Sequence, residues 1–359
     1  MPGRGHVLQD GRVPEPIRLV ADVDTGIDDA LALLYLLASP EAEIAAVLST
    51  AGNVPVPQVT ANNLAWLQVC GRPDIEVAVG SEAPLVAPLM TTEDTHGPLG
   101  VGYADLPAPG HGPSGRSAAE AWVELTRAHP GELVGLVTGP LTNLALAVRL
   151  DPQLPHRLRR LVVMGGAFNY PGNTTPTSEW NVAVDPEAAK AVFDAFSAVA
   201  PGRRPIVCSL DTTESIAMRP DHLRRLAEAA GSVPAELLSP DDPRGLRSRA
   251  SNPIVRHLAD ALRFYMEFHR DQGQGFLAHV HDPFAAAVAL GTVPFTTRPA
   301  TVDVELDGRL TRGTTVADWS GMWGRPPNAE IVVATDPQVF FDHLVERVGA
   351  HVAARFRPA

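Results

Sequence analysis

Four aspartates crowd into the run Asp22-Val23-Asp24-Thr25-Gly26-Ile27-Asp28-Asp29, directly after the apolar segment Ile17–Ala21. A single aspartate there needs no ligand, because it caps a helix and complements the helix dipole. Four carboxylates need more. Two of them about 5 Å apart repel by roughly 3 kcal/mol at an effective dielectric of about 20. Such crowding is tolerable if a cation neutralises it, or if some of the acids stay protonated. With no His or Cys at ligand spacing, the donors are hard oxygens, which suit Ca2+ or Mg2+ rather than zinc. A divalent cation at this point of the chain is what the run predicts.

The elements that must position it follow from periodicity. Ile17–Ala21 reads as a buried strand and a helix follows from about Asp28 to Ala38. The aspartates therefore sit at the carboxyl end of a strand, where open parallel sheets place their ligands. The alternation continues with strand Ile44–Ser49, helices Pro57–Val69 and Ser117–Ala128, strand Leu133–Thr138, helix Leu141–Arg149 and strand Leu161–Met164. Helix Pro186–Phe196 and strand Ile206–Leu210 complete the first part. This spacing predicts an α/β fold with a mostly parallel central sheet flanked by helices. The second half is more helical, at Asp221–Ala230, Pro253–Arg270 and Pro283–Leu290. Strand-like segments return at Thr301–Glu305, Gly313–Ala317 and Ile331–Ala334, before a last helix from about Pro337. No low-complexity linker divides the chain, although Ser232–Arg249 is rich in Pro and charge. One domain over 17–359 is expected, behind a loose tail over 1–16.

Composition narrows the partners. A formal net charge of −12 over 359 residues disfavours nucleic-acid polymers, whose affinity comes from Lys and Arg on phosphates. With 45% hydrophobic and 19% charged residues the chain is core-forming rather than disordered. The apolar runs are short and interrupted, so no membrane span is expected, and the first residues lack the apolar core of a signal peptide. Cys70 and Cys208 lie far apart in apolar stretches and read as buried free thiols. A cytoplasmic protein acting on a small molecule is the expectation.

A strand ending in D-x-D also opens the haloacid-dehalogenase phosphatases. Those place Thr or Val two residues after the second Asp, where this chain has Gly26, and Lys190, its only lysine, has no acidic motif around it. The full pattern D-x-D-x-G-x-D-D-A instead resembles the inosine–uridine-preferring nucleoside hydrolases. The likeness runs from about Arg18 over nearly the whole chain. It continues through Ala51-Gly52-Asn53-Val54, Thr138-Gly139-Pro140-Leu141-Thr142-Asn143, Met164-Gly165-Gly166, Glu179-Trp180-Asn181, Asp185-Pro186-Glu187-Ala188 and His281-Asp282-Pro283.

The resemblance implies roles. Asp24, Asp29 and Asp282, with the main-chain carbonyl of Thr138, would ligate Ca2+, and water and the ribose 2′- and 3′-hydroxyls would complete a shell of roughly six to eight oxygens. Asp24 would also be the general base on the water held there, and His281 the acid that protonates the leaving base. Asp28, Asn53, Glu179 and Asn181 would hold the sugar hydroxyls, with Asp22 supporting the cluster from behind. Met164 would offer its carbonyl, although a buried core Met is the simpler account. His96 lies in Thr91–Gly102, which resembles a mobile flap over the base. The family would also imply a homodimer or homotetramer.

Departures are specific. Thr25 stands where Pro is usual, with Gly26 keeping the turn. The loop Phe168–Thr175 is one residue longer than the pattern, so Asn173, ahead of Asn169, is the candidate for the 5′-hydroxyl. His269 replaces a Tyr late in its helix, with Tyr265 one turn earlier. Asn143 reads as structural, Trp180 as packing inward and His279 as a bystander. The chemistry is coherent: breaking an N-glycosidic bond builds positive charge on the ribose, which an acidic pocket stabilises beyond the neutral substrate. No phosphate-binding or dinucleotide glycine motif is present to suggest phosphorolysis or cofactor chemistry. Two alternatives stay open, a hydrolase specialised for a modified nucleoside and a non-catalytic nucleoside-binding protein.

Overall fold

Val, Leu, Ala and Ile fill both faces of the early strands, the pattern of a parallel sheet covered on each side. The computed structural model describes residues 16–234 and 238–355. The tail expected over 1–16 lies outside them except for Pro16. The strands are β1 (Ile17–Val23), β2 (Ala42–Ser49), β3 (Val77–Val79), β4 (Val134–Val137), β5 (Arg160–Met164) and β6 (Ile206–Cys208). After them come β7 (Ala217–Met218), β8 (Ala278–His279), β9 (Phe295–Val304), β10 (Thr315–Asp318) and β11 (Ala329–Thr335). Nine of these form one sheet in the order β10-β9-β11-β6-β5-β4-β1-β2-β3. From β11 to β3 every neighbouring pair is parallel. The far edge is antiparallel, β9 against β11 and β10 against β9. The mostly parallel sheet expected from the alternation is therefore present, with an antiparallel margin. Among the described residues no helix is long and apolar enough to cross a membrane.

Several boundaries differ from expectation for physical reasons. Leu210 opens a short helix, Leu210–Thr213, rather than ending β6. β9 starts at Phe295, ahead of the expected Thr301, because its first half is largely exposed and carries no apolar run. β3 has three residues, too few for a periodicity to register. β7 and β8 pair only with each other, as an antiparallel two-stranded ribbon outside the main sheet.

The pleat of β1 sorts its side chains. Leu19, Ala21 and Val23 join the core on the side of helix Ile27–Ala38. Val20 and Asp22 point the other way, toward Trp122 on helix Ala118–Ala128. Asp22 is fully buried there. Its Oδ1 accepts from Thr50 Oγ1 at 2.5 Å and Asn143 Nδ2 at 2.9 Å, and its Oδ2 accepts from Trp122 Nε1 at 2.8 Å. Asn143 also donates to Ser49 O and contacts Thr50 Oγ1, so it ties β1, β2 and helix Thr142–Leu150 together. Asp22 is thus a brace behind the cluster, and Asn143 is structural.

Removing one donor from a buried carboxylate costs about 1–3 kcal/mol. Trp122→Phe should lower the unfolding free energy by about that much, read as a lower urea midpoint at unchanged m-value. An unchanged midpoint would show that the bond to Asp22 carries no net stability.

Candidate active site

Asp24 lies on the turn after β1, and Asp28 and Asp29 occupy the first turn of helix Ile27–Ala38. Asp282 occupies the first turn of helix His281–Leu290. Two helix starts therefore aim their positive ends at the same place, which favours negative charge there. One oxygen each from Asp28, Asp29 and Asp282 lie within 4.8 Å of one another, and all three residues are buried. The tightest trio thus includes Asp28, which the family resemblance assigns to the sugar. Asp24 sits beside it, close enough for its charge to act on Asp29 and Asp28.

The cluster is held by donors, not by cations of the chain. Asp29 Oδ2 accepts from the Gly26 N–H at 2.9 Å and from Asn53 Nδ2 at 3.3 Å, while its Oδ1 accepts from Thr138 Oγ1 at 2.7 Å. Asp24 Oδ2 accepts the Asn53 N–H at 2.9 Å. Two glycines give this arrangement room. A Cβ on Gly52 would lie 2.2 Å from Asp24 Oδ2. One on Gly26 would lie 2.6 Å from both Asn53 Nδ2 and His96 Nδ1. Gly26 has ordinary extended torsions, φ −92 and ψ −158, so crowding rather than a special turn demands glycine there. Thr25, where Pro was expected, uses its hydroxyl to bond Asn63.

Burial shapes the titration. It lifts the Asp28 carboxyl to about 7, helped by the charge of Asp29, and lifts Asp22 to about 6. Asp24 and Asp282 are pushed well above the usual carboxylate range, by burial first and by their acidic neighbours next. Asp29 rises less freely because Gly26 and Thr138 bond its charged form. Buried carboxylate oxygens this close, without Lys or Arg bonded to them among the described residues, could hold a metal ion.

A cavity of about 500 Å3 opens over Asp24, Asp28 and Asp282. Asn53, Thr138, Met164, Glu179 and Asn181 line it, as do Asn173, His96 and His281, while Asp29 lies beneath its floor and Asn169 is not part of the lining. Glu179 caps helix Trp180–Val184 and accepts N–H bonds from Asn181, Val182 and Gly166. Asn181 Nδ2 donates to the carbonyls of Thr138 at 2.6 Å and Met164 at 3.2 Å, which leaves its amide oxygen for another donor. Asn173 Oδ1 accepts the Trp180 N–H at 2.9 Å. Trp180, expected to pack inward, lines the cavity instead.

One wall of the cavity is an arc of rings. His96 meets Tyr265 at 5.2 Å between centroids, Tyr265 meets His269 at 4.4 Å, His269 meets His279 at 4.9 Å and His279 meets His281 at 5.7 Å. His279 is therefore part of the wall rather than a bystander, and Tyr265 and His269 both reach the cavity. Burial pushes His96 down to about 3 and His269 down to about 4, and holds His281 well below the ordinary imidazole range. His96 Nδ1 accepts the Ile27 N–H at 3.1 Å, so its Nε2 carries the ring proton. His281 Nδ1 pairs with Thr213 Oγ1 at 2.8 Å. Thr213, Glu214 and Phe268 were not anticipated. Only the β7–β8 pairing and the end of helix Pro253–Asp271 bring them here, and no local motif marks them.

Among the described residues lining the cavity there is no Lys or Arg. One part of the cavity gathers carboxylates and amides, another gathers rings. Comparison with known proteins gives the family. The model of the family described as inosine-uridine preferring nucleoside hydrolase matches residues 19–342. A pyrimidine-specific ribonucleoside hydrolase, RihA of Salmonella schwarzengrund, is 36% identical over 331 residues, covering 92% of this chain and 97% of that protein. Among solved structures, a plant nucleoside hydrolase is similar at a TM-score of 0.79 and 29% identity, covering 93% of this chain and 99% of that one. A purine-preferring ribonucleoside hydrolase from Gardnerella vaginalis is similar at a TM-score of 0.82 and 26% identity, covering 94% and 99%.

The buried acids make a stability prediction whose sign is fixed. Asp28 near 7 and Asp22 near 6 hold protons in the native state that the unfolded chain, near 3.8, has lost. Between those values the native state binds more protons, so their contribution to stability falls as pH rises. The melting temperature of chelator-treated protein should drop from about pH 5 to about pH 8. A saturating divalent cation should remove most of that drop, and Asp28→Asn should flatten the chelated profile. A chelated profile as flat as the loaded one would contradict the assignment.

Proposed function

The chain belongs to the inosine-uridine preferring nucleoside hydrolase family and is an N-ribosyl hydrolase of ribonucleosides, and on that premise we propose how its residues perform the cut. The observation that carries the reading is the buried carboxylate cluster at one end of a cavity whose other end is walled by imidazole and phenol rings. Asp24, Asp29, Asp282 and the Thr138 carbonyl would hold Ca2+, with Asp28 close enough to share it. Bound there, Ca2+ supplies a fixed positive charge that orients a vicinal diol and acidifies water.

The chain's own groups do the rest. Asp24 is the general base: Oδ2 is fixed by the Asn53 N–H, and the carboxylate takes the proton of the attacking water. Asp28, Asn53 and the free amide oxygen of Asn181 bind the 2′- and 3′-hydroxyls. Glu179 adds a carboxylate at the sugar, with Asn173 toward the 5′-hydroxyl. Glu179 and the aspartates stabilise positive charge developing on the ribose more than they stabilise the neutral nucleoside. His281 protonates the departing base as the imidazolium, with Nδ1 paired to the Thr213 hydroxyl, and the proton that Asp24 takes from water replaces the one given up. His96 presents its Nε2–H to the same space.

The test is free ribose release from a panel of nucleosides, with Ca2+ and with chelator. Release should require the cation. Asp24→Asn should lower kcat by about 10²–10⁴-fold with the protein folded and still binding ribose. His281→Ala should slow nucleosides far more than a riboside whose leaving group needs no proton. Chelator-insensitive release, or near-normal turnover in Asp24→Asn, would overturn the mechanism. Tight nucleoside binding without release would favour the non-catalytic alternative.

A further inference from the structure

We infer that Glu214 is a specificity-determining residue of the base pocket, selecting ribonucleosides whose base carries an amino group over those with a carbonyl at the same edge. The inference rests on the hydrolase reading above and deepens it. Thr213 is held at the base end by its bond to His281, so the next residue, Glu214, is held there too, and it lines the cavity. Its Oε2 lies 3.2 Å from His279 Nε2.

Two other cavity acids spend oxygens on the fold. Glu179 accepts three backbone N–H bonds and Asp24 accepts one from Asn53. Among the described residues, the Glu214 carboxylate has one ion-pair partner, the His279 ring, and its charge also reaches the Tyr170 and Tyr265 hydroxyls. A carboxylate offers about four acceptor positions, so most of its capacity is unspent. Its neighbour adds another acceptor. His269 Nδ1 faces the Tyr265 carbonyl at 2.8 Å and must donate to it, which leaves Nε2 with a bare lone pair. His279 lies against both the carboxylate and the main-chain carbonyl of Glu214, two acceptors, so the ring proton faces Glu214. The wall at this point therefore offers lone pairs.

Cytosine and uracil differ at C4 by amino against carbonyl, at nearly equal size, and adenine and hypoxanthine differ likewise at C6. An amino group donates to this wall. A carbonyl sets lone pair against lone pair and leaves the buried acceptors unpaired, which is how polar sites reject near-isosteres.

The experiment measures kcat/KM for cytidine, uridine, adenosine and inosine in the Ca2+-loaded wild type, Glu214→Gln and Glu214→Ala. A 4-nitrophenyl β-D-riboside, which carries no base, reports the hydrolase by itself. An amino preference of about tenfold or more is expected in at least one pair. Glu214→Gln, near-isosteric and able to donate through its amide, should collapse or invert that ratio, and Glu214→Ala should reduce it without inversion. If the riboside is cleaved but neither pair shows the preference, or Glu214→Gln leaves the ratios unchanged, the assignment of Glu214 is overturned while the hydrolase stands. If nothing is cleaved, the hydrolase mechanism falls and the assignment with it.

Discussion

Everything at the sugar end follows from one constraint: Asp24, Asp28, Asp29 and Asp282 are buried together, and no Lys or Arg among the described residues lines their cavity. Burying charge is costly unless it is paired or coordinated. The fold meets the cost with oriented dipoles, namely two helix starts, the Gly26 and Asn53 amides and the Thr138 hydroxyl. What these donors leave over is a demand for positive charge, which suits a cation and an electron-deficient sugar alike. The parallel sheet matters because it brings one strand end, two helix starts and the loop after β4 to a single point. Asp22 extends the constraint backward through the sheet to Trp122 and Asn143.

The base end is built on different terms. Its imidazoles are buried and neutral, and their hydrogen bonds are set by single partners: Ile27 for His96, Tyr265 for His269 and Thr213 for His281. The Ile27 N–H and the Tyr265 carbonyl settle which nitrogen of His96 and of His269 carries the proton, while the Thr213 hydroxyl fixes the placement of His281. The wall is therefore a pattern of donors and acceptors rather than a charged surface, as a neutral heterocycle requires.

Much of the sugar end was legible in the sequence because its residues lie in short runs tied to strand ends. Asp24, Asp28, Asn53, Thr138, Met164, Glu179, Asn181 and Asp282 all reach the cavity, and the alternation that predicts the sheet is a strong local signal. Trp180 was misjudged because a Trp between two polar residues says nothing about which way the ring turns. The base end was less legible. His279 lies on β8 and Glu214 just before β7, and these strands of two residues each are too short to show a period. Glu214 stands in no motif, and its place depends on a pairing between residues far apart in the chain. The glycine at position 26 was noticed for the wrong reason, since sequence shows a possible turn but not the side chains that crowd it.

The β7–β8 ribbon pairs with no strand of the main sheet. Part of the base wall is thus carried by an element hydrogen-bonded as a sheet only to itself, while the acids hang from the strand ends of the principal framework. In evolutionary terms the two halves of the site are separable. Drift in the ribbon and at the end of helix Pro253–Asp271 can retune which base is accepted without disturbing the residues that handle the sugar. A lineage built this way can diversify its diet of substrates while inheriting one reaction.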